Sequence, residues 1–195
     1  MNLPNKITLA RIFLTVFIVI FLLFPFYAIN INFPKYNISG VIVDLRYIIG
    51  GILFVIASVT DLIDGKLARR NNQVTDTGKM LDAIADKVLV NSVLVIFTWN
   101  GFIKPIIAVI YIFRDEVVNA LRMHAAKNGV VVPAGVFGKI KTFSMMSGLS
   151  LMFFYNLPFE LINIRVDEFL VYFATVLSVV SGIEYYRKIM KKSVK

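Results

Sequence analysis

The sequence predicts an all-α integral membrane protein with six transmembrane helices in a single domain over residues 1–195. Apolar residues make up 58% of the chain and charged residues only 17%, whereas a soluble domain is nearer half apolar and a quarter charged. The apolar residues are also grouped into blocks. Six of these blocks approach the length of about 20 residues that a helix needs to cross a bilayer. Composition and patterning therefore agree on the membrane class.

The six predicted spans are separated by mostly short connections. They lie near 7–28, 45–69, 78–99, 103–124, 138–156 and 167–187. The longer connections, 29–44 and 125–137, contain Pro, Gly and Asn and are predicted to be loops. The first span is too long for the apolar part of a typical signal peptide, and no small-residue cleavage site follows it. We therefore expect it to remain as a span.

Basic residues predict the orientation of the chain in the membrane. With the N-terminus inside, only four of the 21 Lys and Arg residues lie on the outer side: Lys35, Arg46, Lys104 and Arg165. Since basic residues concentrate in cytoplasmic loops, both termini are predicted to be cytoplasmic in a multi-pass protein of the cell membrane. The same rule explains the net charge of +9 without a nucleic-acid partner. The basic tail is expected to contact anionic membrane lipids.

Four aspartates lie at the cytoplasmic side of the second and third predicted spans: Asp61, Asp64, Asp82 and Asp86. Spacings of three and four residues place each pair on one face of its helix, so two neighbouring helices can aim four carboxylates at one point. Two like charges 4 Å apart repel by roughly 4 kcal/mol at an effective dielectric constant near 20, and two divalent cations would relieve this repulsion. All-oxygen ligands suit Mg²⁺ or Mn²⁺. Zinc is not favoured, because the chain has no Cys and no His lies near the aspartates in the sequence.

A simpler interpretation is that these aspartates are ordinary polar residues at helix ends. Asp is common near a helix N-terminus, which would account for Asp82 alone. It does not account for Asp61 and Asp64, which lie near a predicted C-terminus where the helix dipole disfavours them. Ionisable residues in membrane segments mark functional sites, but ion transporters share this property. A divalent-cation transporter is therefore an alternative function.

Small residues and one arginine accompany the carboxylates. Gly65, Ala68 and Gly78 would let a ligand approach the backbone closely, and Arg69 lies one turn after Gly65, where it can bind phosphate. Carboxylates, two metals, small residues and an arginine together indicate a pyrophosphate group as ligand. The active site is therefore expected at the inner membrane surface.

The complete motif reads Asp61-x2-Asp64-Gly65-x2-Ala68-Arg69-x8-Gly78-x3-Asp82-x3-Asp86, with eight fixed positions across 26 residues. It resembles, without a gap, the signature of the CDP-alcohol phosphotransferase family. Three further stretches are similar to the bacterial phosphatidylglycerophosphate synthases within that family: NLPNKITLARI at the start, Arg114-x-Glu116-x5-Arg122, and GKIKT at 138–142. One departure is Asp115, at a position where this pattern leads us to expect a neutral or apolar residue.

The resemblance implies a role for each matching residue. Asp61, Asp64 and Asp82 would bind the metals, and Asp86 would contact a metal and act as the general base. The residues that would bind CDP-diacylglycerol are Asn5, Thr8, Asp61, Gly65, Ala68, Arg69 and Gly78. The resemblance also implies a homodimer, and a reaction in which the phosphatidyl group passes to an alcohol while CMP leaves.

Four basic residues of the fourth and fifth spans bear on the identity of the acceptor alcohol: Arg114, Arg122, Lys139 and Lys141. A bare arginine within a membrane segment is costly, so we expect Arg114 to line a water-filled cavity and to meet an anionic partner. Asp115, Glu116 and lipid headgroups are the alternatives to an acceptor phosphate. Four cations favour a phosphorylated acceptor, and the resemblance favours sn-glycerol 3-phosphate, with inositol phosphate as the alternative.

Overall fold

The fold is a bundle of long α-helices, described here from a computed structural model of the chain. The backbone is described for residues 3–70, 76–127 and 135–193, and side chains for 6–60, 81, 84–126 and 135–190. Within these residues there are six α-helices: α1 (Leu3–Leu23), α2 (Leu45–Arg70), α3 (Asp76–Trp99), α4 (Pro105–Lys127), α5 (Val136–Phe153) and α6 (Val166–Ser193). Each predicted span overlaps one α-helix, which confirms the mostly helical fold class, although α1 ends at Leu23, before the predicted end of the first span at 28.

Local chemistry accounts for several helix boundaries. Pro25 follows the end of α1, and α4 begins at Pro105, where the missing N–H of proline costs no helical hydrogen bond. Asp44 caps α2, because its Oδ1 accepts a hydrogen bond of 2.8 Å from the backbone N–H of Arg46. The backbone N–H of Asp44 donates in turn to the hydroxyl of Tyr155, at 3.0 Å, which ties the start of α2 to the end of α5.

The prediction of a plain loop over 29–44 is wrong, because this connection contains a β-hairpin. Strands β1 (Lys35–Ile38) and β2 (Val41–Asp44) pair antiparallel, with Ile38 opposite Val41. The two residues of the turn, Ser39 and Gly40, have φ values of 50° and 94°. Two successive positive φ values match the tight turn that fits the natural twist of a hairpin. A Ser-Gly pair between short apolar runs was the sequence feature that indicated it.

The core lies where α2, α3 and α5 meet. Each of these helices contributes one fully buried phenylalanine: Phe54, Phe97 and Phe153. The ring centroid of Phe153 lies 5.4 Å from that of Phe54 and 4.6 Å from that of Phe97. Gly51 permits this packing, because a Cβ atom there would lie only 2.6 Å from the Cβ of Phe153. On the flanks, α1 lies against both α2 and α3, and α6 packs along α5 and α4.

Two of the described helices are long and apolar enough to cross a bilayer by length and composition: α1 over Lys6–Leu23 and α6 over Val166–Met190. Large apolar side chains are exposed around the bundle, among them Trp99, Phe113 and Phe143, which are 84%, 69% and 70% exposed. Large apolar side chains exposed in such number suit contact with lipid.

Candidate active site

Charged side chains from two helices converge inside the bundle. Arg114 and Asp115 come from the middle of α4, and Lys141 comes from the second turn of α5. We call these three residues the charge cluster. All three are largely buried, since their side chains are 16%, 14% and 7% exposed. Buried charges are normally paired, and these are paired with one another.

Asp115 is the centre of the charge cluster. Its Oδ1 accepts a hydrogen bond of 2.8 Å from Nη1 of Arg114 and one of 2.6 Å from Nζ of Lys141. The family pattern led us to expect an uncharged residue at this position. The structure explains the carboxylate, because it lets two cations remain buried side by side. One negative and two positive charges leave the cluster with a formal charge of +1.

Arg114 pairs with Asp115, one of the predicted alternatives to an acceptor phosphate. Its Nη2 also donates a hydrogen bond of 2.7 Å to Oγ of Ser181 on α6. Among the described residues, the buried Nε has no hydrogen-bond partner. A guanidinium carries two N–H donors on each terminal nitrogen, so Nη1 and Nη2 each keep one donor for an anion. Pairing with Asp115 therefore does not exhaust the capacity of Arg114 to bind phosphate.

Lys141 is held against an aromatic ring as well as a carboxylate. Its Nζ lies 4.5 Å from the ring centroid of Tyr111, which is buried one helical turn before Asp115 on α4. An ammonium ion over the face of an aromatic ring is attracted by the ring quadrupole. Lys87 of α3 is near enough for its charge to act on Lys141, and its Nζ lies 3.3 Å from Oε1 of Glu116.

Among the four predicted metal ligands, the described side chains include only Asp86, which is half-buried on α3. Asp86, Asp115 and Arg114 are each near enough to Tyr111 for their charges to act on it. The predicted general base therefore lies in the neighbourhood of the charge cluster. The side chains of the other three predicted ligands lie outside the described residues: Asp61, Asp64 and Asp82.

The chemistry of the donor set fits a hard divalent cation. Asp61 and Asp64 lie in the last turns of α2, and Asp82 and Asp86 lie in the first three turns of α3. These four residues are all carboxylates, which suit Mg²⁺ or Mn²⁺ rather than a softer metal. Among the side chains that the structure describes, no group of three or more His, Cys, Asp or Glu residues could hold a metal ion.

The residues predicted to bind the nucleotide are described only in part. Thr8 lies in α1 and is buried, with 4% exposed. The side chains of the other members of this set lie outside the described residues: Asn5, Asp61, Gly65, Ala68, Arg69 and Gly78. Their binding role stays a prediction.

The structure separates two of the four predicted acceptor cations from the charge cluster. Arg122 is exposed, and its Cζ lies 5.4 Å from the ring centroid of Tyr185 on α6. Eight residues after Arg114, it is displaced by about 12 Å along the helix. Lys139 is also exposed. Side chains two positions apart on an α-helix point about 200° apart around the axis, so Lys139 does not share the face of Lys141.

Three residues beside the charge cluster were missed by the sequence reasoning: Tyr111, Ser181 and Gly182. Tyr111 lies three and four residues before Arg114 and Asp115, and this helical spacing was available in the sequence. Ser181 and Gly182 form a small-residue pair at the end of a largely apolar stretch of α6, a feature typical of close helix contacts in membranes. Nothing in their spacing identified the helix that they contact.

Removing the carboxylate of Asp115 should destabilise the fold. We expect Asp115→Ala to lower the free energy of unfolding by about 3–5 kcal/mol, because two buried cations would lose their shared counterion. Unfolding of the purified protein in mixed micelles, titrated with a denaturing detergent, measures this change. Glu184→Ala is the control, since it removes an exposed pair with Lys188 on α6, for which about 0.3–0.5 kcal/mol is expected. Equal losses in the two variants would contradict a buried role for Asp115.

Comparisons with known proteins agree with the motif. Residues 1–180 match the model of the CDP-alcohol phosphatidyltransferase family. A Bacillus subtilis protein named CDP-diacylglycerol–glycerol-3-phosphate 3-phosphatidyltransferase is 39% identical over 187 residues, covering 96% of this chain and 94% of that protein. A Haemophilus influenzae protein of the same name is 37% identical over 179 residues, covering 89% of each.

Solved structures support the same fold. The Mycobacterium tuberculosis phosphatidylinositol phosphate synthase in complex with manganese and citrate superposes with a TM-score of 0.64 at 16% identity, over 97% of this chain and 83% of that one. Its apo form gives a TM-score of 0.62 over 97% and 90%. Since the family model covers most of the chain, and relatives more than 30% identical span nearly all of it, this protein is a member of the CDP-alcohol phosphatidyltransferase family.

Proposed function

We propose that the protein transfers the phosphatidyl group of CDP-diacylglycerol to sn-glycerol 3-phosphate, giving phosphatidylglycerophosphate and CMP. The observation that carries this proposal is the buried charge cluster, which has a formal charge of +1 and lies in the neighbourhood of Asp86. The site would thereby place a group that accepts a proton next to cations that can bind a phosphorylated alcohol. The names of the relatives that span most of the chain support the same substrates.

The proposed reaction is a displacement at phosphorus. Asp86 accepts the proton of the primary hydroxyl of glycerol 3-phosphate as that oxygen attacks the phosphorus that carries diacylglycerol. The bond from this phosphorus to the oxygen that bridges the pyrophosphate breaks, and CMP leaves with that oxygen. Asp61, Asp64, Asp82 and Asp86 would hold two divalent cations, Mg²⁺ or Mn²⁺. These cations would neutralise charge on the pyrophosphate.

The charge cluster would bind the phosphate of the acceptor. Nη1 and Nη2 of Arg114 each keep one N–H donor after their bonds to Asp115 and Ser181, and a planar guanidinium can grip a phosphate through two parallel hydrogen bonds. Lys141 adds a compact charge from the adjacent helix. In the same proposal, Arg122 and Lys139 act from the exposed ends of their helices as the phosphate approaches. Inositol phosphate carries the same anionic group and is the alternative acceptor.

The site requires a particular arrangement in the membrane. One substrate is a lipid and the other is soluble, so the two must meet at a membrane surface. We place all six helices across the bilayer with both termini in the cytoplasm and the carboxylates at the inner surface, supported by the distribution of basic residues. CDP-diacylglycerol would keep its acyl chains among membrane lipids. The family resemblance supports a homodimer.

The direct test is turnover by the purified protein. Protein in detergent micelles, given CDP-diacylglycerol, labelled glycerol 3-phosphate and Mn²⁺ or Mg²⁺, should release CMP and form a labelled lipid in equal amounts. Inositol phosphate in place of glycerol 3-phosphate should give little product. CMP release with inositol phosphate alone would assign a different acceptor. Cation flux into vesicles without any CMP release would overturn the enzyme assignment in favour of a transporter.

Loss of the Arg114 side chain should weaken the binding of one substrate, glycerol 3-phosphate. We expect Arg114→Ala to raise the KM for glycerol 3-phosphate roughly 10- to 150-fold, the equivalent of one charge-assisted hydrogen bond of about 1.5–3 kcal/mol. The KM for CDP-diacylglycerol should change much less. Arg187→Ala is the matched control, because Arg187 is an exposed arginine near the end of α6. Equal changes in both KM values would remove Arg114 from the acceptor site.

A further inference from the structure

Arg114 is held from α6 by two adjacent residues that carry no charge. Nη2 of Arg114 donates to Oγ of Ser181 over 2.7 Å, and these residues are 67 positions apart in the chain. The next residue, Gly182, presents its Cα to the guanidinium stem. A Cβ atom on Gly182 would lie 3.0 Å from Nε and 3.4 Å from Cγ of Arg114. The arginine side chain thus fills the space that the glycine leaves open.

The hydroxyl of Ser181 has a fixed direction. Its Oγ lies 3.0 Å from the backbone carbonyl oxygen of Ser178, to which it donates its only proton. The lone pairs of the oxygen are then available to Nη2 of Arg114. Ser181 is 7% exposed, so water has little access to compete for this acceptor. The bond is therefore oriented by the helix itself.

Contacts on α4 and α6 together leave Arg114 little freedom. Asp115 holds Nη1, Ser181 holds Nη2, and Gly182 admits the stem. Arginine has four rotatable side-chain bonds, and ordering them costs up to about 2 kcal/mol of entropy. A side chain already ordered before the ligand arrives avoids that cost during binding.

We propose that Ser181 and Gly182 are positioning residues that orient the Arg114 guanidinium, so that α6 sets the affinity for the phosphorylated acceptor. This inference rests on the proposed function of the charge cluster. It adds a helix that carries none of the motif carboxylates. If Ser181 and Gly182 only packed α6 against α4, their substitution would change stability and the KM values for both substrates alike. Orientation of Arg114 would change mainly the KM for the phosphorylated acceptor.

The test uses KM values for the two substrates in three variants of the full-length protein. Ser181→Ala should raise the KM for glycerol 3-phosphate roughly 2- to 10-fold, the net effect of one hydrogen bond. Gly182→Ala should raise it roughly 10-fold or more, because misplacement of a binding group by a fraction of an ångström is costly. Ser181→Thr keeps the hydroxyl and should lie close to wild type. The KM for CDP-diacylglycerol should stay within about twofold throughout.

Ser178→Ala is the matched control. Ser178 lies one turn away on α6 and is fully buried, and its Oγ has no hydrogen-bond partner among the described side chains. Its removal should leave both KM values unchanged, because the carbonyl that accepts from Ser181 is backbone.

A double variant separates positioning from packing. In an Arg114→Ala background, Ser181→Ala should add nothing to the KM, since the group that it orients is absent. A full additive increase there, or equal KM values for Ser181→Ala and Ser178→Ala, would overturn the inference. If Ser181→Ala fails to fold, Gly182→Ala and Ser181→Thr decide the question by the same comparison. If the wild type itself gives no CMP release with glycerol 3-phosphate, the proposed function fails instead.

Discussion

Asp86→Asn is expected to lower turnover by at least about 10²- to 10⁴-fold, the contribution typical of a positioned general base. The amide keeps the size of the side chain but cannot accept the proton of the attacking hydroxyl. Because Asp86 is also expected to contact a cation, the loss should reach the upper part of this range. The measurement is CMP release at saturating concentrations of both substrates.

The control for Asp86→Asn is Glu184→Gln, which removes one negative charge from an exposed position on α6 and should leave turnover unchanged. Affinity for CDP-diacylglycerol should fall less in Asp86→Asn than in Asp61→Asn, because the remaining carboxylates can retain one cation. Turnover near that of the wild type would place the general base elsewhere.

Asp61→Asn and Asp82→Asn should each abolish detectable turnover. Replacement of an anionic ligand by a neutral amide weakens cation binding, and the charge on the pyrophosphate then lacks compensation. Excess EDTA should reproduce the effect in the wild type, and added Mg²⁺ or Mn²⁺ should reverse it. Binding of Mn²⁺ is measured separately, from the loss of the spectrum of the free ion in paramagnetic resonance.

Two results would count against this assignment of the metal ligands. One is full turnover of the wild type in excess EDTA. The other is Mn²⁺ binding by Asp61→Asn that matches the wild type while turnover is lost. The thermal unfolding of each variant should stay close to that of the wild type, which separates a lost ligand from a lost fold.

The helices could be predicted from the sequence because each is a block of apolar residues of suitable length, bounded by residues with known preferences. The predicted start of the second span at Leu45 agrees with α2, since Asp44 is a natural helix cap. The sixth helix extends to Ser193, beyond the predicted end at 187, because its basic last turns are polar but still favour helix. Hydropathy identifies the length of the apolar segment, whereas the helix itself can continue into polar residues.

The arrangement of the charge cluster could not be predicted, because it depends on contacts between helices distant in sequence. The bond from Lys141 to Asp115 spans 26 positions and the bond from Arg114 to Ser181 spans 67. Helical periodicity shows which residues share a face but does not identify the neighbouring helix. The sequence therefore indicated four acceptor cations, whereas the fold brings only Arg114 and Lys141 together.

The span of 67 residues between Arg114 and Ser181 also fixes an order of assembly during synthesis. When α4 leaves the ribosome, Arg114 can pair with Asp115 of its own helix, and Lys141 follows 26 residues after Asp115. The helices α4 and α5 can then share one counterion while the rest of the chain is still being made. Arg114 gains its hydroxyl partner only after α6 has emerged. A chain released before α6 would contain the whole carboxylate motif but would lack the last contact that orients Arg114.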